Sequence, residues 1–354
     1  MKCLSIFCAF ALLLASCSPN DEQTFDAPVQ DVNFAIVPSV SFGQMDVTRG
    51  GGVVAPSDTT SRGVSVLRMD AQSANANDYP TSFTKITGPF TAMLVGNTTA
   101  TDTDAKIMLD KSNMQYYLSS GWKSKVLSVY PQIAASAWNG TTGVVTYDIS
   151  AGNSDIMATQ WGEGYRYYVG YTGVAVHPSG MNYNHLLSQV KVQVYAVDQI
   201  GCEYWGSIQS ITIGDLSPTA RVTLPVATSA DAYPTLVGSG TPVGIAVTKI
   251  DGTAAATLAQ ANIPYNNQAN PQVTPAIFGY CMFVPSATRA LPLTIVTKKG
   301  AEAAVSTTVT AVAQEYKAGV AYTITLKLAA YEIIPEKATI TAWQTQGGSV
   351  EIQI

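Results

Sequence analysis

Apolar and polar side chains alternate at every second position along several stretches of this 354-residue chain. The clearest alternation runs through QVKVQV (189–194) and YTITLKL (322–328). A period of two places successive side chains on opposite faces of the backbone, which is typical of a half-buried strand. Shorter runs of the same kind occur at 90–95, 143–149, 166–176, 207–213, 221–226, 243–248, 293–297 and 305–312.

Turn-forming clusters such as NGTTG, GNSD and GSGTP separate these strand patterns. Their spacing favours a β-sandwich over alternating strands and helices. Helical patterns are confined to short pieces such as TAAATLAQANI. We therefore predict an all-β fold.

The first residues, MKCLSIFCAFALLLASC, combine one cation with a short apolar run and small residues. This order predicts a secretory signal peptide over residues 1–16. The closing Leu-Ala-Ser-Cys resembles a bacterial lipobox, in which Cys17 would carry the lipid. The alternative is a cysteine that follows the signal by chance. The stretch after it, SPNDEQTFDAPVQD, indicates an acidic tether.

The remaining length suits two domains of ordinary size. A Pro-Gly turn in HPSGMN (177–182) separates an aromatic-rich half from a β-branched half. We therefore predict domains at 50–178 and 179–354, preceded by a segment at 17–49 that holds the tether and a first strand.

Only 12% of residues are charged and the net charge is −5, which argues against a nucleic-acid partner.

A separate strand pattern precedes the first predicted domain at 31–37 and continues toward Arg49, which is followed by three glycines. An exposed, flexible segment of this kind suits a protease that cuts after arginine. Arg62 offers a second such position in SDTTSRGV. The alternative is an ordinary linker with incidental arginines.

Catalytic motifs are missing from the sequence. Its two histidines, His177 and His185, have no Cys, Asp or Glu at the spacing of metal ligands. The chain also lacks a Gly-x-Ser-x-Gly elbow, a phosphate-binding loop and a dinucleotide fingerprint. We therefore expect no enzyme activity, no metal and no cofactor.

Two further residue types leave alternatives open. Outside the predicted signal and Cys17, the cysteines are Cys202 and Cys281, which form either one disulfide or two separate buried thiols. The tryptophans suit either core packing or a sugar-binding platform. They are Trp122, Trp138, Trp161, Trp205 and Trp343.

Two runs give the chain a family resemblance. They are SVYPQIAASAWNGTTGVVTYDISAGNSDIMATQ (128–160) and NHLLSQVKV (184–192). With the lipobox and the strand that closes on Arg49, they resemble the fimbrillin-like proteins of Bacteroides and its relatives, the subunits of type V pili.

The resemblance implies two transthyretin-like β-sandwich domains in tandem after a lipoprotein signal peptide. It also implies a lipidated precursor at the outer-membrane surface, which an arginine-specific protease cuts. By position Arg49 matches the cut, with Arg62 as its rival, and residues 31–43 match a strand that the cut releases. The apolar residues of that strand are Val32, Phe34 and Ile36.

In this family a strand from another pilin subunit fills the groove that the released strand leaves. Residues 338–343 and then 349–354, in the final stretch GGSVEIQI, match the donor, with apolar residues at Ile340, Val350, Ile352 and Ile354. The alternative is that this stretch pairs within its own domain.

Each apolar side chain of a donated strand contributes about 1.5 to 3 kcal/mol to binding when it is buried in the groove. Each backbone hydrogen bond adds roughly 1 kcal/mol, against an association cost of roughly 4 to 15 kcal/mol.

The sequence therefore favours a structural subunit of a cell-surface pilus that supports adhesion, with other pilin subunits as partners. Because donor and groove lie on different surfaces, such contacts are heterologous and build a filament. The alternative function is a pilus-tip or lipid-anchored adhesin that binds glycan or host protein.

Overall fold

The structure is a computed structural model that describes residues 39–42, 62–73, 78–95, 105–109, 111–118, 122–169, 172–178, 181–226, 232–249, 252–336 and 338–342. Strands dominate these residues, which confirms the all-β prediction. No helix within these ranges has the length and apolar character that a membrane span requires.

The strands are numbered in chain order. The first twelve are β1 (Ser39–Phe42), β2 (Arg62–Asp70), β3 (Thr87–Val95), β4 (Ala105–Leu109), β5 (Lys123–Tyr130), β6 (Trp138–Asn139), β7 (Val144–Asp148), β8 (Met157–Ala158), β9 (Gly162–Val169), β10 (Thr172–Val176), β11 (Met181–His185) and β12 (Ser188–Ala196). The others are β13 (Ser207–Leu216), β14 (Thr219–Thr223), β15 (Thr235–Ser239), β16 (Val243–Ala246), β17 (Ala276–Phe283), β18 (Ser286–Arg289), β19 (Pro292–Lys298), β20 (Val305–Thr310), β21 (Gln314–Tyr316), β22 (Val320–Ala329), β23 (Glu332–Pro335) and β24 (Thr339–Ala342).

Nine strands form the largest sheet, in the order β10-β9-β5-β2-β3-β4-β1-β11-β8. Because β8 pairs in addition with β5, seven of these strands close on themselves. We call β5, β2, β3, β4, β1, β11 and β8 the ring. Alternate side chains of its strands form one apolar core with Tyr117, which lies between β4 and β5. The strand residues of this core are Val64, Val66, Ala92, Leu94, Ile107, Leu109, Val126, Met157, Met181 and Tyr183.

A second sheet, in the order β15-β14-β7-β6, packs on the outer face of β2 and β5. Leu67 and Leu127 come from the ring strands, and Val145 and Val222 from the second sheet. Residues on opposite faces of β2 and β5 therefore belong to two different cores, as the period of two requires.

Two further sheets face each other in the second half of the chain. One has the order β17-β12-β22-β23, with β24 also paired to β22, and the other has the order β16-β13-β19-β20. The alternating stretches 189–194 and 322–328 form most of β12 and β22, which pair in parallel. Their apolar side chains pack against those of β13 and β19, such as Ile211 and Ile295, in a sandwich core.

The hairpin of β14 and β15 comes from the second half of the chain, but its edge pairs with β7 of the first half. Leu224, which follows β14, and Met282 of β17 also pack into the core below this sheet. Ala220, Val222 and Leu224, which follow the expected boundary at 178, therefore pack into a core of the first half of the chain. The division into two domains stays a prediction.

The α-helix of the structure, α1 (Gln199–Trp205), lies outside the helical patterns that the sequence offered. It begins where the Asp198 side chain accepts a hydrogen bond from the Gly201 N–H at 2.8 Å. It ends at Gly206, whose φ is 69° and whose position leaves no room for a Cβ beside the Lys298 carbonyl. The TAAATLAQANI stretch contains only a 3-10 turn, Gln260–Asn262, and similar turns lie at Phe83–Lys85, Lys111–Asn113 and Ala135–Ala137.

Cys202 and Cys281 are free and buried, so the structure has the two separate thiols and not the disulfide. Burial raises the pKa of the Cys281 thiol to about 12. This cysteine is therefore a neutral, apolar core residue at physiological pH.

The contribution of the β14–β15 hairpin to the core between the ring and the second sheet is measurable. Leu224 is 2% exposed, so Leu224→Ala should lower the free energy of unfolding by about 2 to 5 kcal/mol through a buried cavity. The matched control is Val237→Ala on β15, which is 56% exposed and should change it by less than about 0.5 kcal/mol. Urea unfolding followed by tryptophan fluorescence gives both values, and equal effects would contradict the packing.

Candidate functional site

The first strand of the structure, β1, is held between two ring strands. It runs parallel to β11, with Val40 opposite Met181 and Phe42 opposite Tyr183. On its other side it runs antiparallel to β4, with Val40 opposite Ala105. Both edges of β1 are therefore paired, although the strand has only four residues.

Apolar side chains of the strands beside β1 reach into the ring core. Met181 and Tyr183 of β11 and Ile107 of β4 are fully buried. The Tyr183 hydroxyl bonds to Ser128 Oγ at 2.5 Å, and Ser128 Oγ donates to the Ser65 carbonyl at 3.1 Å. Burial raises the pKa of Tyr183, although the bond to Ser128 opposes part of the shift. The phenol of Tyr183 therefore stays neutral and donates its hydrogen bond to Ser128 Oγ.

The ring closes through β8, which has two residues. Ala158 pairs with Val129 of β5 on one side and with Asn184 of β11 on the other. Met157 likewise pairs with both Tyr130 and His185. We call these contacts of β8 with β5 and β11 the seam. Because it holds so few backbone pairs, the seam depends on its side chains for stability.

A buried contact between a carboxyl group and an imidazole links the segment before β8 to the end of β11. His185 Nδ1 lies 2.6 Å from Asp155 Oδ2, and the side chains are 4% and 0% exposed. Asp155 comes two residues before β8, and His185 is the last residue of β11. A carboxylate in such a place is stable only with a partner, because burial of an unpaired charge is costly.

No local spacing in the sequence indicates this pair, because Asp155 and His185 lie far apart along the chain. Asp155 and His185 nevertheless lie in the two runs that carry the family resemblance, 128–160 and 184–192. The fold brings these runs together at the seam. The one signal that the sequence offered for the contact of Asp155 with His185 was that both runs carry the family resemblance.

The two candidate cleavage arginines differ in their setting. Arg62 is the first residue of β2, and its backbone pairs with Leu94 of β3. Arg49 lies outside the described residues, as do Cys17 and the apolar residues of the expected removable strand, Val32, Phe34 and Ile36. Strand β1 falls within the expected range 31–43.

The candidate donor residues are also divided. Ile340 lies in β24, opposite Tyr322 of β22 in the same chain. Val350, Ile352 and Ile354 lie outside the described residues. The structure therefore pairs the first part of the expected C-terminal region within its own sandwich.

Two of the tryptophans are core residues. Trp161 is buried and donates to the Pro225 carbonyl at 2.9 Å, and buried Trp205 donates to the Ala329 carbonyl at 2.7 Å. Trp343 lies outside the described residues. Among the residues that the structure describes, no three His, Cys, Asp or Glu side chains are grouped so that they could hold a metal ion.

No protein-family model matches the chain. No curated protein matches it either. Solved structures do match. A candidate cell adhesion protein from Bacteroides uniformis has a TM-score of 0.51 at 13% identity, with 88% of this chain and 98% of that chain covered. A similar candidate from Bacteroides ovatus has a TM-score of 0.49 at 12% identity, with 89% and 99% covered. A fimbrial protein from Bacteroides vulgatus has a TM-score of 0.39 at 12% identity, with 87% and 100% covered. The first of these shows that the chain shares the fold of a Bacteroides protein over nearly its whole length.

The contribution of the Asp155–His185 contact to the seam is testable. Asp155→Asn should lower the free energy of unfolding by about 2 to 5 kcal/mol, because buried His185 loses its carboxylate. Glu315→Gln is the matched control, because it breaks the exposed Lys317–Glu315 pair and should cost less than about 1 kcal/mol. Thermal and urea unfolding give both values. A loss at Asp155 as small as that at Glu315 would show that the pair does not stabilise the seam.

Proposed function

We propose that the protein is a structural subunit of a cell-surface type V pilus. It polymerises by strand exchange after arginine-specific proteolysis and thereby supports adhesion. The observation that carries the proposal is the position of β1, a four-residue strand inserted between β4 and β11 of a closed ring. An adhesion role agrees with the name of the Bacteroides uniformis protein that shares this fold.

Removal of β1 would leave a slot with two unpaired edges, one on β4 and one on β11. Unpaired strand edges are filled readily by a strand from another chain. The slot would also uncover Ile107, Met181 and Tyr183, which are fully buried in the intact ring. Reburial of each would return about 1.5 to 3 kcal/mol. Refilling by a neighbouring subunit is therefore strongly favoured.

A cut after Arg49 separates β1 from β2 without touching either strand. A cut after Arg62 would fall inside β2, where the backbone is already paired with Leu94. A protease must fit an extended, unpaired segment into its cleft. Arg49 is therefore the better processing site.

Before this cut, the precursor would be held at the outer membrane through lipid on Cys17.

The processing step is tested with an arginine-specific protease and two matched variants. Arg49→Lys keeps the charge but removes the recognised residue, so it should block both cleavage and fibre formation. Arg62→Lys should leave both unchanged. Mass spectrometry of the new N-terminus and electron microscopy of the product provide the readouts. Fibres from uncut protein, or a new N-terminus at Gly63, would contradict this assignment.

Release of β1 is tested separately with a reversible crosslink. Ser41→Cys with Asn182→Cys joins β1 to β11 at directly opposite positions, within reach of a disulfide. Cleavage should proceed in the oxidised variant, but fibres should form only after reduction. The control, Met93→Cys with Met108→Cys, joins opposite positions of β3 and β4 and should assemble without reductant. Fibres from the oxidised β1 variant would contradict strand exchange.

A second candidate function is a pilus-tip or lipid-anchored adhesin. The observation that favours it is an exposed aromatic pair, Tyr204 and Tyr331, whose ring centroids lie 4.8 Å apart. Tyr331 is 79% exposed and has a φ of 72°, in a turn where glycine is usual. Binding of glycan or host protein without fibre formation by the cleaved protein would favour this candidate.

A further inference from the structure

The strand β20 lies at one edge of the sheet β16-β13-β19-β20. It pairs with β19 on one side, and no strand that the structure describes pairs with its other side. Four of its six residues are exposed, including Val305 at 56%. We call this unpaired side of β20 the open edge.

The open edge lacks the features that protect the edges of natural sheets, which are charged side chains, proline or a bulge. Residues 303–314 contain no charged residue and no proline, and β20 pairs with β19 without a register shift. Two other edges of the same sandwich differ. β23 carries Glu332 and Pro335, and β16 pairs with β13 across a register shift. β20 is therefore suited to pairing with a further strand.

The register with β19 shows which backbone groups face the open edge. The Ala311 N–H donates to the Leu291 carbonyl at 2.9 Å, and these residues continue the register in which Thr310 lies opposite Pro292. Hydrogen-bonded and non-hydrogen-bonded pairs alternate along an antiparallel ladder. Pro292, which has no N–H to donate, lies at a non-bonded pair, as this alternation requires. The odd-numbered residues of β20 therefore bond to β19. The even-numbered residues direct their N–H and C=O groups toward the open edge, and these are Ser306, Thr308 and Thr310.

We propose that the open edge pairs antiparallel with the open edge of a second copy of this chain, about a two-fold axis at Thr308. In this register each Thr308 lies opposite its equivalent, and Ser306 lies opposite Thr310 of the second copy. Every N–H and C=O group that β20 directs outward then has a partner. The hydroxyl side chains lie opposite one another, which stabilises a strand pair, and no like charges meet.

The other face of the paired strands also fits a second copy. Val309 packs partly against the sandwich core, and Thr307 of the second copy would lie opposite it. Because the contact is isologous, it closes with two copies, in contrast to the heterologous contact of strand exchange. In assembled pili, a consequence that rests on the proposed function, it would join two filaments side by side.

Analytical ultracentrifugation of the uncleaved protein gives the first test. A strand of six residues makes a small contact, so we expect a reversible equilibrium of monomer and dimer. Thr308→Lys and Thr308→Glu should each weaken association by about tenfold or more, because like charges meet on the two-fold axis. An equimolar mixture of the two variants should restore association, because opposite charges then face each other. The matched control, Val237→Lys, adds an exposed charge to β15, the edge of another sheet, and should leave association unchanged.

Hydrogen exchange followed by NMR gives a second test on the unaltered chain. The amides of Ser306, Thr308 and Thr310 should be protected only at concentrations at which the dimer forms. Those of Thr307 and Val309 should be protected at every concentration, because they bond to β19. Both tests use uncleaved protein, so neither result depends on strand exchange.

A monomer at every concentration, or a dimer that the Thr308 variants leave unchanged, would overturn the proposal. Protection of the Thr308 amide in the monomer would also overturn it, and would assign the open edge to another segment of the same chain. Rapid exchange of this amide at every concentration would leave the open edge to a different protein.

Discussion

The pairing of β1 with both β4 and β11 is the constraint on which the ring depends. Backbone groups at both edges of a strand must be paired when they are buried, so a closed ring tolerates no missing member. The apolar core inside the ring has the same requirement, because Met181 and Tyr183 are shielded from water only in a complete wall. A single short strand therefore completes both the backbone pairing of the ring and the cover of its apolar core.

The seam, which only β11 separates from β1, is built from the same kind of short pairing. β8 contributes two residues to each neighbour, and the Asp155–His185 pair joins the segments that flank it. β11 takes part in both structures, since it pairs with β1 on one edge and with β8 on the other. The pairing at the seam holds β11 in place beside β1.

The sandwich formed by the sheets β17-β12-β22-β23 and β16-β13-β19-β20 has a core of its own. Its buried residues come from positions 190–333, whereas those of the ring core come from positions 64–183. Loss of β1 would therefore expose the ring core and leave the sandwich core intact. The proposed exchange of strands is physically reasonable for this reason, because one core changes its covering strand while the other stays folded.

The sequence by itself determined the all-β class and the central strands, because the alternation at 189–194 and 322–328 is a local property of the chain. The strand pattern at 31–37 ends just before β1, and the wider range 31–43, which contains β1, came from the family resemblance. Only the tertiary structure decided that β1 lies between β4 and β11, that Asp155 meets His185, and that the β14–β15 hairpin joins the first half. The physical reason is that strand pairs and buried polar contacts join residues that are distant in the sequence. The alternation of apolar and polar residues predicts a strand but does not specify its partner.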